Sequence, residues 1–184
     1  MTHKIGIILG STRPSRISPS IATWLQTNLA QPDLTFDLID LAQINLPLLD
    51  EVEQPSSGIY HKAHTQQWSQ LIQGYDGFVL LFPQYNWGYP APLKNALDYL
   101  YKEWAHKPVS LVSYGGHGGF QAAQGMYLVV RGLKMRLLTN NLQLTLRSAD
   151  LDEQGHFIDP DQALAPYAFN AQQMGAEFRH LLGE

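Results

Sequence analysis

The 184-residue chain contains no cysteine. That excludes disulfide stapling, thiol catalysis and cysteine-held metals, and it leads us to expect a cytoplasmic setting. No apolar run comes near the ~20 residues that span a bilayer, so no membrane partner is expected. The first residues run straight into a strand pattern and lack the layout of a secretory signal. Positive charge is scarce: 12 Lys and Arg stand against 16 Asp and Glu, a net charge of −4. A nucleic-acid partner needs a concentrated basic face, so none is expected. Repeats and low-complexity linkers are missing too. What remains is an ordinary globular composition, 45% hydrophobic and 15% charged. Its length suits one domain over residues 1–184.

Apolar runs and helix-period stripes alternate from end to end. Strands are expected at residues 4–9 (KIGIIL), 34–39, 77–82 (GFVLLF) and 108–113 (PVSLVS), with a fifth where Leu142, Leu144 and Leu146 alternate. Between them, the spacing predicts helices with inner stripes of Ile21, Trp24, Leu25 and Leu29, then Trp68, Leu71, Ile72 and Tyr75. Further stripes are Leu93, Ala96, Leu97, Leu100 and Trp104, starting near Pro90 or Ala91, and Met126, Tyr127, Val130, Leu133 and Leu137. A last helix carries Tyr167, Met174, Phe178 and Leu181 after a polar excursion at residues 150–159. Residues 40–57 read as a long proline-containing connection. Five strands separated by helices imply right-handed crossovers and a parallel sheet covered on both faces, with the order 2-1-3-4-5 expected. Ligands then belong at the C-terminal ends of strands 1, 3 and 4.

Three unusual loops stand at those ends. The first, residues 10–18 (GSTRPSRIS), puts hydroxyls, two guanidiniums and the N–H groups of a helix start into nine positions. That donor set matches a phosphate monoester, although a capped helix start with solvated arginines uses the same residues. Neither G-x-G-x-x-G nor the G-K-[ST] ending of a P-loop can be written there. The second, residues 83–90 (PQYNWGYP), offers flat rings and exposed backbone of the kind a planar heterocycle stacks on. It also fits an aromatic turn that closes a core or a subunit contact. The third, residues 113–119 (SYGGHGG), has four glycines in five positions and permits close backbone approach or simple flexibility. His117 in this turn reads as a hydrogen-bonding or solvent-facing residue. His61 and His64 form an i,i+3 pair with no third ligand, so no metal site is expected. Lys94 and Asp98 read as a solvated i,i+4 pair. With no G-x-S-x-G elbow and no acid–base pair, no side chain is assigned a catalytic role, as suits a protein whose cofactor brings the chemistry.

In this order the three loops, and above all PQYNWGYPAPLKNALDYL at residues 83–100, resemble the NADPH-dependent FMN reductase family of flavodoxin-like proteins. Leu46-Pro47-Leu48 also looks like the family. The resemblance implies a flavodoxin-like three-layer α/β sandwich that binds FMN. It implies NADPH or NADH as donor and a quinone-like or other small molecule as electron acceptor. The order would be ping-pong, with hydride passing from nicotinamide C4 to flavin N5. Carried over, Ser11, Arg13, Arg16 and Ser18 hold the FMN phosphate. Pro83, Gln84, Tyr85, Asn86 and Trp87 line the isoalloxazine and ribityl chain. Ser113, Tyr114, Gly115 and Gly116 approach the polar edge of the ring, with His117 nearby. A homodimer or homotetramer is implied. The chain departs from the family at Phe120-Gln121, where many members carry an arginine, and at Ser15, where a glycine is common. An FMN-binding electron carrier with little NAD(P)H turnover is the alternative.

Overall fold

A computed structural model describes residues 2–183; Met1 and Glu184, the outermost residues of the expected domain, lie outside it. Strands β1 (His3–Leu9), β2 (Leu34–Asp40), β3 (Gly77–Pro83) and β4 (Pro108–Gly115) pair in parallel. Beyond β4 come β5 (Arg136–Leu137) and β6 (Leu142–Thr145), both parallel to it. The order is β2-β1-β3-β4-β5, with β6 also on β4. Helices α1 (Ser18–Asn28), α6 (Pro160–Leu164) and α7 (Ala168–Gly183) cover one face, and α3 (Ala63–Gln73), α4 (Ala91–Asp98) and α5 (Phe120–Gly132) the other. The short α2 (Leu41–Ile44) packs with the second group.

Alternation along β3 builds both cores. Phe78, Leu80 and Phe82 face the α3–α4–α5 side, while Val79 and Leu81 face α1 and α7. Every residue of β3 is buried, as a strand covered on both faces requires. This is the α/β sandwich the sequence pattern implies, with a sixth, two-residue strand added.

That sixth strand arises because the fifth position in the sheet is broken. Leu138 N still donates to Val109 O, but at the break the side chain of Asn141 substitutes for backbone. Its Oδ1 accepts Leu111 N at 2.8 Å, and Ser110 Oγ donates to Asn140 O at 2.7 Å. Leu137 therefore lies in β5 instead of extending the α5 stripe, and Leu146 falls just past β6, its N–H bonded to Gly115 O.

Other expected boundaries also move for physical reasons. The α4 stripe stops at Asp98, since indole N–H groups take the carbonyls a longer helix would use: Trp68 Nε1 donates to Ala96 O at 2.9 Å and Trp104 Nε1 to Leu97 O at 3.1 Å. Leu100 and Trp104 remain buried in the turn that follows. Tyr75 lies beyond the end of α3 yet is buried against Phe78. His61 precedes α3, and His64 pairs with Asp50 at 2.9 Å, so the two histidines do not form a helical i,i+3 pair. Residues 40–57 are not an uninterrupted connection. Asp40 caps α2 by accepting Ala42 N, and a 3₁₀ turn occupies Pro55–Ser57. Tyr167 sits in a 3₁₀ turn ahead of α7.

Glu177 on α7 braces the broken edge. Its carboxylate accepts Thr139 N at 2.7 Å, Asn140 N at 2.9 Å and Asn140 Nδ2 at 2.7 Å. Burial works to raise its pKa, but these hydrogen bonds hold it below the usual glutamate value. A depressed carboxylate stabilises the fold above its unfolded value of 4.5, and that contribution is lost as pH falls through the lower folded value. Glu177→Gln is therefore expected to lower the urea midpoint at pH 7, with the gap from wild type closing as pH drops below about 4. Paired urea titrations across that range check it.

Candidate flavin-binding site

The three loops converge at the C-terminal edge of the sheet. Gly10 N donates to Leu81 O at 2.8 Å, and Gln84 N to Tyr114 O at 3.1 Å, so each loop starts from its neighbouring strand. Ser11 Oγ and Tyr85 OH lie 2.7 Å apart, joining the first loop to the second. The Arg13 guanidinium sits 5.9 Å from the Tyr85 ring centroid. Arg16 lies deeper. Its Nη2 donates to Asp40 Oδ2 at 2.6 Å, so the residue that caps α2 also fixes this guanidinium.

Between these loops is a cavity of about 300 Å³. Of the sequence-predicted residues, Ser11, Arg13, Arg16, Pro83, Gln84, Tyr85, Tyr114 and Gly115 line it. Ser18, Asn86, Trp87, Ser113, Gly116 and His117 do not. Ser113 is spent on the glycine turn, where its Oγ donates to Gly118 O at 2.7 Å. Gly118 and Gly119 hold φ of +68° and +71°, and a Cβ on Gly119 would collide with Ser113 and the Tyr114 backbone, so that turn needs glycine. Gly116 and His117 are exposed at its tip. Asn86 and Trp87 form the centre of a two-residue turn closed by Tyr85 N to Gly88 O at 2.8 Å and Gly88 N to Tyr85 O at 2.9 Å. Both adopt positive φ, +47° and +68°, and Trp87 is 74% exposed. That conformation is strained for a residue as large as tryptophan.

The donors present fit a phosphorylated ligand. Arg16 Nε and Ser18 Oγ are both buried at this loop; Nε has no hydrogen-bond partner, and Oγ lies beside the Tyr114 phenol. A buried guanidinium N–H calls for an acceptor, because leaving it unmade costs about 1–3 kcal/mol. Arg13 pairs with no carboxylate among the described residues; its Nη2 reaches Ser15 Oγ at 3.3 Å. Burial, with Tyr85 adding to it, pushes the Tyr114 phenol above its ordinary value, while the neighbouring Ser18 and Ser11 hydroxyls and Arg13 oppose the shift. Tyr114 therefore stays protonated and able to donate at neutral pH. A larger cavity of about 790 Å³ lies at the opposite edge of the sheet, by His3, Asp33 and Arg179, but neither the 10–18 loop nor any Phe, Tyr or Trp lines it.

Sequence reasoning missed part of the lining. Leu151, Gln154 and Gly155 come from residues 150–159, which read only as a polar excursion, and Leu146, expected in the fifth strand, joins them just past β6. It also missed that Gln84 serves the fold. Gln84 Oε1 accepts Gln121 N and Ala122 N, each at 3.1 Å, capping an α5 whose own N-cap is a glycine with no side chain to offer. Gln84→Ala is expected to cost about 0.5–2 kcal/mol of stability, read as a lower urea midpoint in the ligand-free protein.

The model of the NADPH-dependent FMN reductase family matches residues 3–146. An NAD(P)H-dependent FMN reductase of Schizosaccharomyces pombe is 41% identical over 184 residues, spanning 98% of this chain and 91% of that protein. One of Saccharomyces cerevisiae is 40% identical over 147 residues, spanning 73% and 77%. Among solved structures, a flavoenzyme NAD(P)H:(acceptor) oxidoreductase of Paracoccus denitrificans superposes with a TM-score of 0.75 at 17% identity, covering 97% of this chain and 98% of that one, and so shares the fold. With its arginine-bearing loop, aromatic turn and glycine turn gathered at one sheet edge, the chain belongs to the NADPH-dependent FMN reductase family.

Proposed function

We propose that the chain is an NAD(P)H-dependent FMN reductase that passes reducing equivalents to quinone-like or other small acceptors in ping-pong order, acting as a single FMN-binding domain over residues 1–184. The observation that carries the reading is the buried, unpaired Nε of Arg16 in the wall of the cavity that Arg13, Tyr85 and Tyr114 also line. When bound, FMN supplies the redox chemistry that no side chain here provides.

The chain's own residues bind and orient. Ser11, Arg13, Arg16 and Ser18 hold the phosphate, and Arg16 brings a guanidinium already fixed by Asp40. Tyr85 and Tyr114 wall the isoalloxazine and ribityl chain, with Pro83 and Gln84 behind them. Gly115 and Gly116 allow the polar edge of the ring to come close, and Tyr114 offers a phenolic O–H. Asn86, Trp87 and His117 are exposed on the neighbouring turns, and donor and acceptor take turns against them.

A homodimer or homotetramer accords with the surface beside the site. Phe120 and Leu128 are exposed on one side of α5, two turns apart, and Trp87 is exposed as well. Light scattering is expected to give a mass of two or four chains. The lack of cysteine accords with the cytoplasm.

Purified protein is expected to carry FMN or to take it up, and its visible flavin absorption should bleach when NADPH is added without oxygen. Arg13→Ala should raise the FMN dissociation constant by about 10- to 100-fold, the value of a hydrogen-bonded charge contact. Folded protein that takes up no flavin would sink the reading.

A further inference from the structure

The segment after β6 forms a small self-closed hairpin. Arg147 bonds Asp150 through Nε at 3.0 Å and Nη2 at 2.7 Å. Leu151 bridges antiparallel to Phe157, and Ile158 N donates to Asp150 O at 3.0 Å. Inside the turn, Asp152 N donates to His156 O at 2.8 Å, and Asp152 Oδ1 accepts Gln154 N at 2.9 Å and His156 N at 2.8 Å. Gly155 completes it at φ +81°. The base is anchored, because Phe157 packs against the core under α1 and α7 and Asp159 caps α6 by accepting Gln162 N at 3.0 Å.

An anchored base and a closed turn fix where the tip stands. Leu151, Gln154 and Gly155 line the same cavity as Arg13, Ser15 and Arg16 of the anion loop. Of the three, only Gln154 has a side chain that hydrogen-bonds. The turn is closed by its backbone N–H and makes no demand on the amide. The family match ends at residue 146, so this wall lies outside the region the family model covers.

We infer that the 147–158 hairpin is a fourth wall of the cofactor pocket and that Gln154 binds the phosphorylated ribityl chain of FMN. The inference rests on the flavin reading above. The chemistry matches: a primary amide offers two N–H donors and one carbonyl, which suits a chain carrying both phosphoryl oxygens and hydroxyls. Leu151 contributes apolar surface that keeps water from this side of the pocket. The site thereby gains a polar contact with no change in the charge balance set by Arg13, Arg16 and Asp40.

The test is a fluorescence titration of wild type and Gln154→Ala with FMN and with riboflavin, alongside hydrogen exchange of residues 151–156 with and without FMN. Gln154→Ala is expected to keep the wild-type melting temperature while its FMN dissociation constant rises about 3- to 10-fold, as for one lost hydrogen bond. FMN should slow exchange across the hairpin. Weakening confined to FMN puts the contact on the phosphoryl group, and equal weakening with riboflavin puts it on the hydroxyls; both support the assignment. If wild type binds FMN and Gln154→Ala binds it equally well, the assignment is overturned. If wild type binds no FMN at all, the flavin reading falls first and takes this one with it.

Discussion

Everything at the functional edge depends on the complete burial of β3 between β1 and β4. A strand covered on both faces must hand its last backbone groups to neighbours, since water cannot reach them. Leu81 O therefore accepts Gly10 N, and the residue after the strand, Gln84, donates its N–H to Tyr114 O. Those two bonds draw the anion loop and the glycine turn against the aromatic loop. The Ser11–Tyr85 contact and the Arg13–Tyr85 contact follow from that proximity and add side-chain ties to a backbone arrangement already fixed. Gln84 extends the logic one layer out, because capping α5 fixes the helix that springs from the glycine turn.

Charge at the anion loop is handled unevenly, with consequences for binding. Asp40 occupies one edge of the Arg16 guanidinium in a mostly buried pair. A buried pair of this kind contributes little net stability, because desolvation offsets much of the attraction. Its effect is positional: Arg16 cannot swing away, and its Nε is left aimed without a partner. Arg13 is exposed and carries the uncompensated charge. Under the proposed reading the loop pairs a fixed donor with an exposed cation, one for geometry and one for attraction, as suits a dianionic phosphate better than two loose arginines would.

What is legible in the sequence is whatever local periodicity decides. The parallel order, the three buried strands β1, β3 and β4 and the loops at the sheet edge all follow from apolar runs and glycine–proline punctuation. What escapes depends on partners distant in sequence. Nothing near Asp98 says α4 must stop; Trp68, far upstream, takes one of its carbonyls. Nothing at residues 138–141 says the edge strand must break; Asn141 substitutes a side-chain amide for the ladder. The lining from Leu151, Gln154 and Gly155 is hidden for the same reason, since their turn is held by Asp152 and reads locally as a polar loop. Gln84 lines the cavity at the sheet edge, yet its helix-capping bonds become visible only in three dimensions.

Trp87 sharpens the division between residues that serve the fold and residues that serve the site. Its φ of +68° is a conformation that costs a non-glycine residue about 1–2 kcal/mol, and glycine would meet the turn's needs without strain. The two hydrogen bonds between Tyr85 and Gly88 hold the backbone in that shape whatever the side chain. An indole that is 74% exposed contributes little packing within the chain. Tryptophan here therefore works against local stability and buries little in return. Strain of this kind persists where a side chain is required by something outside the fold. Tyr85, two residues before it, lines the cavity, so under the flavin reading proposed above that requirement is an aromatic surface offered to a ligand or to a second copy of the chain.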